Sequence, residues 1–296
     1  MKKYKIKHYF EYIGLILIKF LILHLPLSIV YRLAEFVGLL MYYFVPIRKK
    51  MMKKNILRIF QNISEKEINA ILKNSYLKIS KSAFEYFFMP LMNSKNIDKF
   101  GIIENRHIID EALKNKKGAI LLGAHFDNPE LVTNVLKLNG YPMFALVKKQ
   151  QNPFTHRMIE KMRTAHGIEI LYKGGSIKKI FQNLKNNYAL ATVADIWVSE
   201  DEGRIIDFCG IPTPTPIAPA VLANRLGSAV IPVFSCRLAD NSHKILVYDR
   251  IDVCPENISD NEKIIMIMRK YNILLEENIR KFPDEWFWMH NRWKDK

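Results

Sequence analysis

The sequence predicts an α/β fold: a mixed, largely parallel sheet flanked by helices, with a hydrophobic helical anchor at the N-terminus. Three observations carry this. From Gly118 onward, short apolar runs alternate with amphipathic stretches, as repeated strand–helix units do. The first 47 residues are apolar for most of their length between Tyr9 and Pro46. No repeat and no disordered linker interrupts the remainder, so residues 48–296 read as one unit behind an anchor at 1–47.

The anchor comes first. Pro26 splits it in two, and Glu11, Lys19, His24, Arg32 and Glu35 break its apolar run. A spanning helix needs about twenty uninterrupted apolar residues; Ile13 to Leu25 is shorter and carries Lys19. No small-x-small site follows the apolar core, so a cleaved signal peptide is not expected. Basic residues flank it on both sides, Lys2, Lys3, Lys5 and Lys7 before, then Arg48, Lys49, Lys50, Lys53 and Lys54. Basic flanks mark the cytoplasmic side, so a hairpin or an interfacial anchor with both ends in the cytoplasm fits best. The alternative is a pair of buried helices. It fits less well, because the apolar residues crowd all faces instead of one stripe.

Residues 48–97 read as helical, with Ser64 and Glu67 forming a capping box. Strands follow at Gly118–Ala124, Met143–Val147, Ile168–Leu171, Ala189–Ala194 and Ala229–Cys236. Helices are expected near 129–139, 153–166, 176–187 and 216–227, a further strand at 243–253 and a closing helix at 260–281.

A formal net charge of +16 on 296 residues favours an anionic partner: nucleic acid, an acidic carrier protein or a lipid surface. The basic residues sit in amphipathic helices and anchor flanks without a nucleic-acid module, so no nucleic-acid partner is expected. Three cysteines, Cys209, Cys236 and Cys254, have no metal-ligand spacing and read as free thiols. There is no G-x-S-x-G elbow, no phosphate-binding P-loop, no HExxH and no paired CxxC, so neither a metal nor a cofactor is expected.

The chemistry-bearing stretch is "GAILLGAHFDNPELVTNVLKL", residues 118–138. An apolar strand ends at His125, Asp127 and Glu130 follow, and Pro129 suits the first turn of a helix. Ligands in open α/β sheets bind beyond the carboxyl ends of the strands. There a histidine can take a proton from a hydroxyl while a carboxylate on its second nitrogen fixes the tautomer. Glu130 is positioned for that role by its spacing. Equally, Asp127 or Asn128 can be the N-cap, with Asp127 and Glu130 as a reciprocal capping box.

His125-x4-Glu130 resembles the HX4(D/E) motif of the bacterial lipid A biosynthesis acyltransferases, the late lauroyl/myristoyl transferases. "RKKMMKKNILRIFQNISEKEI" resembles that family's basic segment and its following helix. "ATVADIWVSEDEGRIIDFCGIPTPTPIAPAVLANRLGSAVIPVFSCR" and the C-terminal "EENIRKFPDEWFWMHNRWK" are similar to its later motifs. The resemblance implies a glycerolipid-acyltransferase-like fold at the cytoplasmic side of the inner membrane, with 48–296 as the catalytic domain. It implies acyl transfer from an acyl carrier protein or coenzyme A thioester to a hydroxyl of a lipid A precursor, among membrane lipids. By resemblance, His125 is the base and Glu130 its acidic partner, and Arg163 falls near an active-site arginine. Asp195 falls on the first acid of the family's "DQ" motif, with Ile196 in place of the glutamine.

Arg163 stabilises the oxyanion or a substrate phosphate, or lies on a solvated helix face. Asp195, Arg204 and Arg237 are candidate substrate-binding residues, the arginines toward lipid phosphates or as surface salt-bridge partners. "YKGGSIKK" is a turn capped by Ser176 rather than a phosphate cradle. "WFWMHNRW" reads as a packed segment with His290 non-catalytic, and His107, His156, His166 and His243 read as structural or surface residues. Two rival readings remain: an acyltransferase for a phosphatidylinositol mannoside, and a non-catalytic lipid-binding scaffold.

Overall fold

The computed structural model describes residues 6–175, 177–252 and 258–294, with Lys7 by its backbone alone. Lys2, Lys3 and Lys5, the Ser176 cap and the thiol of Cys254 lie outside the described residues. A seven-stranded sheet forms the centre. In chain order its strands are β1 (Gly101–Glu104), β2 (Ala119–Gly123), β3 (Met143–Val147), β4 (Glu169–Tyr172), β5 (Ala189–Val193), β8 (Ala229–Arg237) and β9 (His243–Val247). Their spatial order is β1-β9-β8-β2-β5-β3-β4, and only β8 and β9 pair antiparallel. The expected mixed, largely parallel sheet is therefore present.

Alternate residues of the central strands feed two cores. Ile120, Leu122, Leu190 and Val230 face a cluster with Ile180, Leu184, Ala220, Tyr271 and Leu275. Those partners belong to α8 (Ile177–Lys185), α9 (Ala218–Leu226) and α10 (Asp260–Lys281). Ala119, Leu121, Met143 and Ala189 face the other side, against Ile109, Leu131, Val135 and Met162. These lie on α5 (His107–Lys114), α6 (Pro129–Leu138) and α7 (Pro153–Arg163). A sheet covered on both faces needs apolar residues at successive positions, which is why its strands read as unbroken apolar runs.

Gly118 opens β2 at φ +64°, where an added Cβ meets the carbonyl oxygens of Leu184 and Tyr188 at 2.6 and 2.8 Å. Only glycine fits that entry. The sequence reading omitted three elements: β1, α5 and a separate hairpin of β6 (Gly203–Phe208) and β7 (Ile211–Pro216). Cys209 and Gly210 form the hairpin's two-residue turn with φ of +56° and +74°, positive at both positions as a primed turn requires. The expected strand at 243–253 ends as β9 at Val247.

At the N-terminus, α1 (Ile6–His24) and α2 (Leu27–Tyr43) meet at Pro26, then come α3 (Lys49–Ile59) and α4 (Glu65–Phe88). Ser64 and Glu67 form the expected capping box on α4. The α2 helix lies against α4 so closely that a Cβ on Gly38 meets the Leu77 Cα at 2.8 Å. Tyr9 and Tyr12 of α1 pack on Phe154 of α7, and Asn152 donates to Glu11 at 2.8 Å. Outward, Phe10, Leu17, Phe20, Phe36 and Phe44 stay exposed. No described helix is long and apolar enough to cross a membrane.

Candidate active site

His125 stands two residues beyond the last residue of β2, and Asp195 two residues beyond that of β5. These strands pair in parallel with Gly123 opposite Val193, so the equal overhangs bring the two side chains together. The imidazole Nδ1 lies 2.8 Å from the Asp195 Oδ1, and the His125 backbone N–H donates to Oδ2 at 2.9 Å. The buried indole of Trp286 donates to the same Oδ2 at 2.9 Å. In the neutral imidazole a carboxylate on Nδ1 favours the tautomer with its proton there, which leaves the Nε2 lone pair free. The His125 side chain is 41% exposed and Asp195 3%.

Burial disfavours the charged imidazole, but the Asp195 charge and hydrogen bond outweigh it. With Glu130 adding to the effect, the His125 pKa is pushed up to about 9. Burial likewise raises Asp195, yet His125 and the Trp286 donor hold it down at about 2.

The partner on Nδ1 is therefore Asp195, not Glu130 as the spacing suggested. Asn128 is the N-cap of α6, accepting from Leu131 N–H at 3.1 Å, so Asp127 does not cap. Glu130 on the first turn of α6 accepts from Arg163 at 2.5 Å, and that guanidinium also reaches the Tyr86 hydroxyl at 3.2 Å. Arg163 is thus half-buried against Glu130, not on a solvated helix face. Its Nε has no acceptor among the described residues.

A cavity of about 130 Å³ opens on His125, lined also by Glu130, Lys78, Ile79, Asp284 and Phe287. Arg163, Arg204 and Arg237 do not line it; Arg163 reaches the cavity wall only through Glu130. Arg204 is exposed on β6 and donates to the Gly203 carbonyl at 2.8 Å. Arg237 is 3% exposed, between Glu85 and Asp127, and so is not open to a lipid phosphate. His243 completes that buried cluster, 2.5 Å from Asp127 and 3.2 Å from Glu85. Burial opposes its charge, but the two carboxylates raise it to about 9. Two cations and two anions compensate each other there, as buried charges must.

Sequence reasoning missed Glu85, Lys78, Tyr86 and Trp286. The first three sit on α4 with no motif around them; Trp286 was legible as an aromatic but read as packing. Among the described residues no cluster of potential metal ligands forms.

The family described as bacterial lipid A biosynthesis acyltransferase matches residues 1–295. A phosphatidylinositol mannoside acyltransferase of Mycolicibacterium smegmatis is 21% identical, over 82% of this chain and 79% of its own. A lipid A biosynthesis acyltransferase of Haemophilus influenzae is 20% identical over 83% of this chain and 78% of its own. The lipid A biosynthesis lauroyltransferase of Escherichia coli is 20% identical over 93% and 88%. At such identities single residues drift, but a match running the length of the chain fixes its kinship: this protein belongs to the bacterial lipid A biosynthesis acyltransferase family.

Proposed function

We propose that the protein transfers a fatty acyl chain from an acyl carrier protein or coenzyme A thioester to a hydroxyl of a lipid A precursor, at the cytoplasmic side of the inner membrane. The observation that carries this is the His125–Asp195 pair, with His125 lining an open cavity. Nε2 takes the acceptor proton as the oxygen attacks the thioester carbonyl carbon. The tetrahedral intermediate collapses, the C–S bond breaks, and the thiolate recovers the proton from the imidazolium. Ester and free thiol result, with no covalent enzyme intermediate.

Asp195 orients the imidazole and stabilises its charged form. Glu130 adds negative charge near His125 and holds Arg163, whose guanidinium is the candidate for stabilising the oxyanion. Substrate seated over the open edge of His125 removes water from it, and desolvation lowers a histidine pKa. Binding therefore moves the base toward its neutral, active form. The exposed apolar surface of α1 and α2 supports interfacial attachment, and the net charge of +16 suits both anionic lipid and an acidic carrier.

The phosphatidylinositol mannoside relatives favour a second reading, in which the acceptor is a mannosylated lipid. Mass spectrometry of lipids from cells whose sole copy is wild type or His125→Ala decides between them. Loss of one acyl chain from lipid A in the variant supports the first reading, and loss from an inositol glycolipid the second. An unchanged glycolipid profile, at equal protein level, overturns both.

A further inference from the structure

We propose that the C-terminal segment Glu285–Phe287 is a positioning strap for the His125–Asp195 pair, with the Trp286 indole N–H as its working group; this rests on the acyl-transfer reading above. The strap meets the histidine loop as a short antiparallel bridge between Phe126 and Trp286. Asp127 N–H donates to the Glu285 carbonyl at 2.8 Å, and Phe287 N–H to the His125 carbonyl at 2.8 Å. The backbone on both sides of Phe126 is therefore tied to one strand-like segment. From the centre of that segment Trp286 reaches Asp195 Oδ2, while His125 takes Oδ1. One element thus holds the base by its backbone and the base's partner by a side chain.

The strap runs on into Trp288–Arg292, and this continuation is fixed from several directions. Asn55 of α3 donates to the carbonyls of Trp288 and His290 at 2.8 and 2.7 Å. Arg48 donates to the Met289 carbonyl at 2.9 Å, and Arg292 to Thr215 of β7 at 2.8 Å. His290 accepts from Trp197 N–H at 2.8 Å, which ties the strap to the loop that carries Asp195. Trp286 is 1% exposed, with ring centroids 4.9 Å from Trp288 and 5.8 Å from Phe208. Hydrophobic burial explains a ring at this position but not an indole N–H aimed at a carboxylate. A phenylalanine fills the space without the donor. The donor leaves Asp195 one fixed orientation, the condition for holding an imidazole within reach of a reacting hydroxyl.

Trp288 supplies an internal control. It is 0% exposed in the same cluster, and its indole donates to the Pro283 carbonyl at 2.6 Å rather than to Asp195. Trp286→Phe and Trp288→Phe are compared in the full-length protein in detergent or nanodiscs. The readouts are the His125 titration by NMR of the imidazole and the steady-state kinetics with an acyl carrier protein thioester. Removing a donor from Asp195 makes that carboxylate more basic, so Trp286→Phe should raise the His125 pKa by about half a unit to one unit. It should also lower kcat about tenfold or more with KM little changed. Trp288→Phe should leave the titration where it is.

In an Asp195→Asn background, Trp286→Phe should cost much less than in wild type, because the pair acts as one unit. Equal shifts from both tryptophan variants, or none from Trp286→Phe, overturn the proposal. If Trp286→Phe fails to fold, the wild-type protein still decides. The ¹⁵N indole signal of Trp286, assigned by elimination among the four tryptophans, should titrate with the His125 midpoint. An indole signal indifferent to that titration contradicts the strap. The NMR readouts need no turnover, so an inactive but titrating protein refutes the acyl-transfer reading and leaves the strap standing.

Discussion

Asp195 shares its two oxygens among the imidazole of His125, the His125 backbone N–H and the Trp286 indole. That sharing decides which carboxylate serves the base. His125→Ala should lower turnover by about 10² to 10⁴, the usual contribution of a positioned base, and should also lower the thermal midpoint, because it leaves the buried Asp195 carboxylate without its cation; a purified-enzyme assay and a melting curve check both. Arg163→Ala removes the cation that Glu130 accepts from, and kcat should fall along with a modest loss of stability. An effect on stability alone would place Arg163 in the scaffold. His125 and Glu130 were legible because strand end, proline and acid fall within one short stretch. The true partner of Nδ1 was not legible, because Asp195 lies 70 residues further along. The Glu130 side chain leaves the first turn of α6 toward Arg163 of α7, a direction no sequence spacing encodes.

The elements supply what the residues lack. The parallel register of β2 with β5 converts two equal overhangs into one hydrogen-bonded pair. Asp127, at φ +53°, turns away from the helix cap and into the buried cluster of Glu85, Arg237 and His243. Removing one partner of such a cluster leaves a buried charge uncompensated. Arg237→Met should therefore destabilise by about 3–5 kcal/mol, read by denaturant unfolding, with KM unchanged in whatever protein remains folded. A raised KM at full stability would return Arg237 to a substrate role. The apolar strands and capped helices of the sheet were readable from periodicity. Strand β1 is four residues long, too short for alternation to register. The β6–β7 hairpin carries three prolines and turns at Cys-Gly, a pattern easily taken for loop.

At the scale of the whole molecule, an apolar surface on α1–α2 adjoins a basic body. Each large apolar side chain moved from water into lipid contributes about 1.5–3 kcal/mol. Replacing Phe10, Leu17 and Phe20 by Ser should therefore cut partitioning onto anionic vesicles more than about tenfold, measured by flotation, without altering the circular dichroism. Undiminished flotation would refute an interfacial role for this surface. The sequence exposed this amphiphilic division through composition alone, whereas the docking of α2 on α4 depends on Gly38, one residue among many apolar ones. Stability should also depend on pH. His243 titrates at about 9 in the folded state against about 6.5 unfolded. Its stabilising contribution is complete below the lower value and is lost as the pH rises through the higher. The thermal midpoint should fall across that window, and His243→Gln should flatten the fall in part, since His125 titrates in the same window.

Whether Asp195 sets the basicity of His125 is read from the pH dependence of kcat/KM for wild type and Asp195→Asn, with an acyl carrier protein thioester and a lipid A precursor. A neutral imidazole is the active form, so wild-type activity should rise with pH through the elevated His125 pKa. Asn at 195 removes the charge that elevates it. The limb should then move to lower pH, toward about 6.5, while the plateau drops. A limb that stays in place with an undiminished plateau would show that Asp195 does not act on the base.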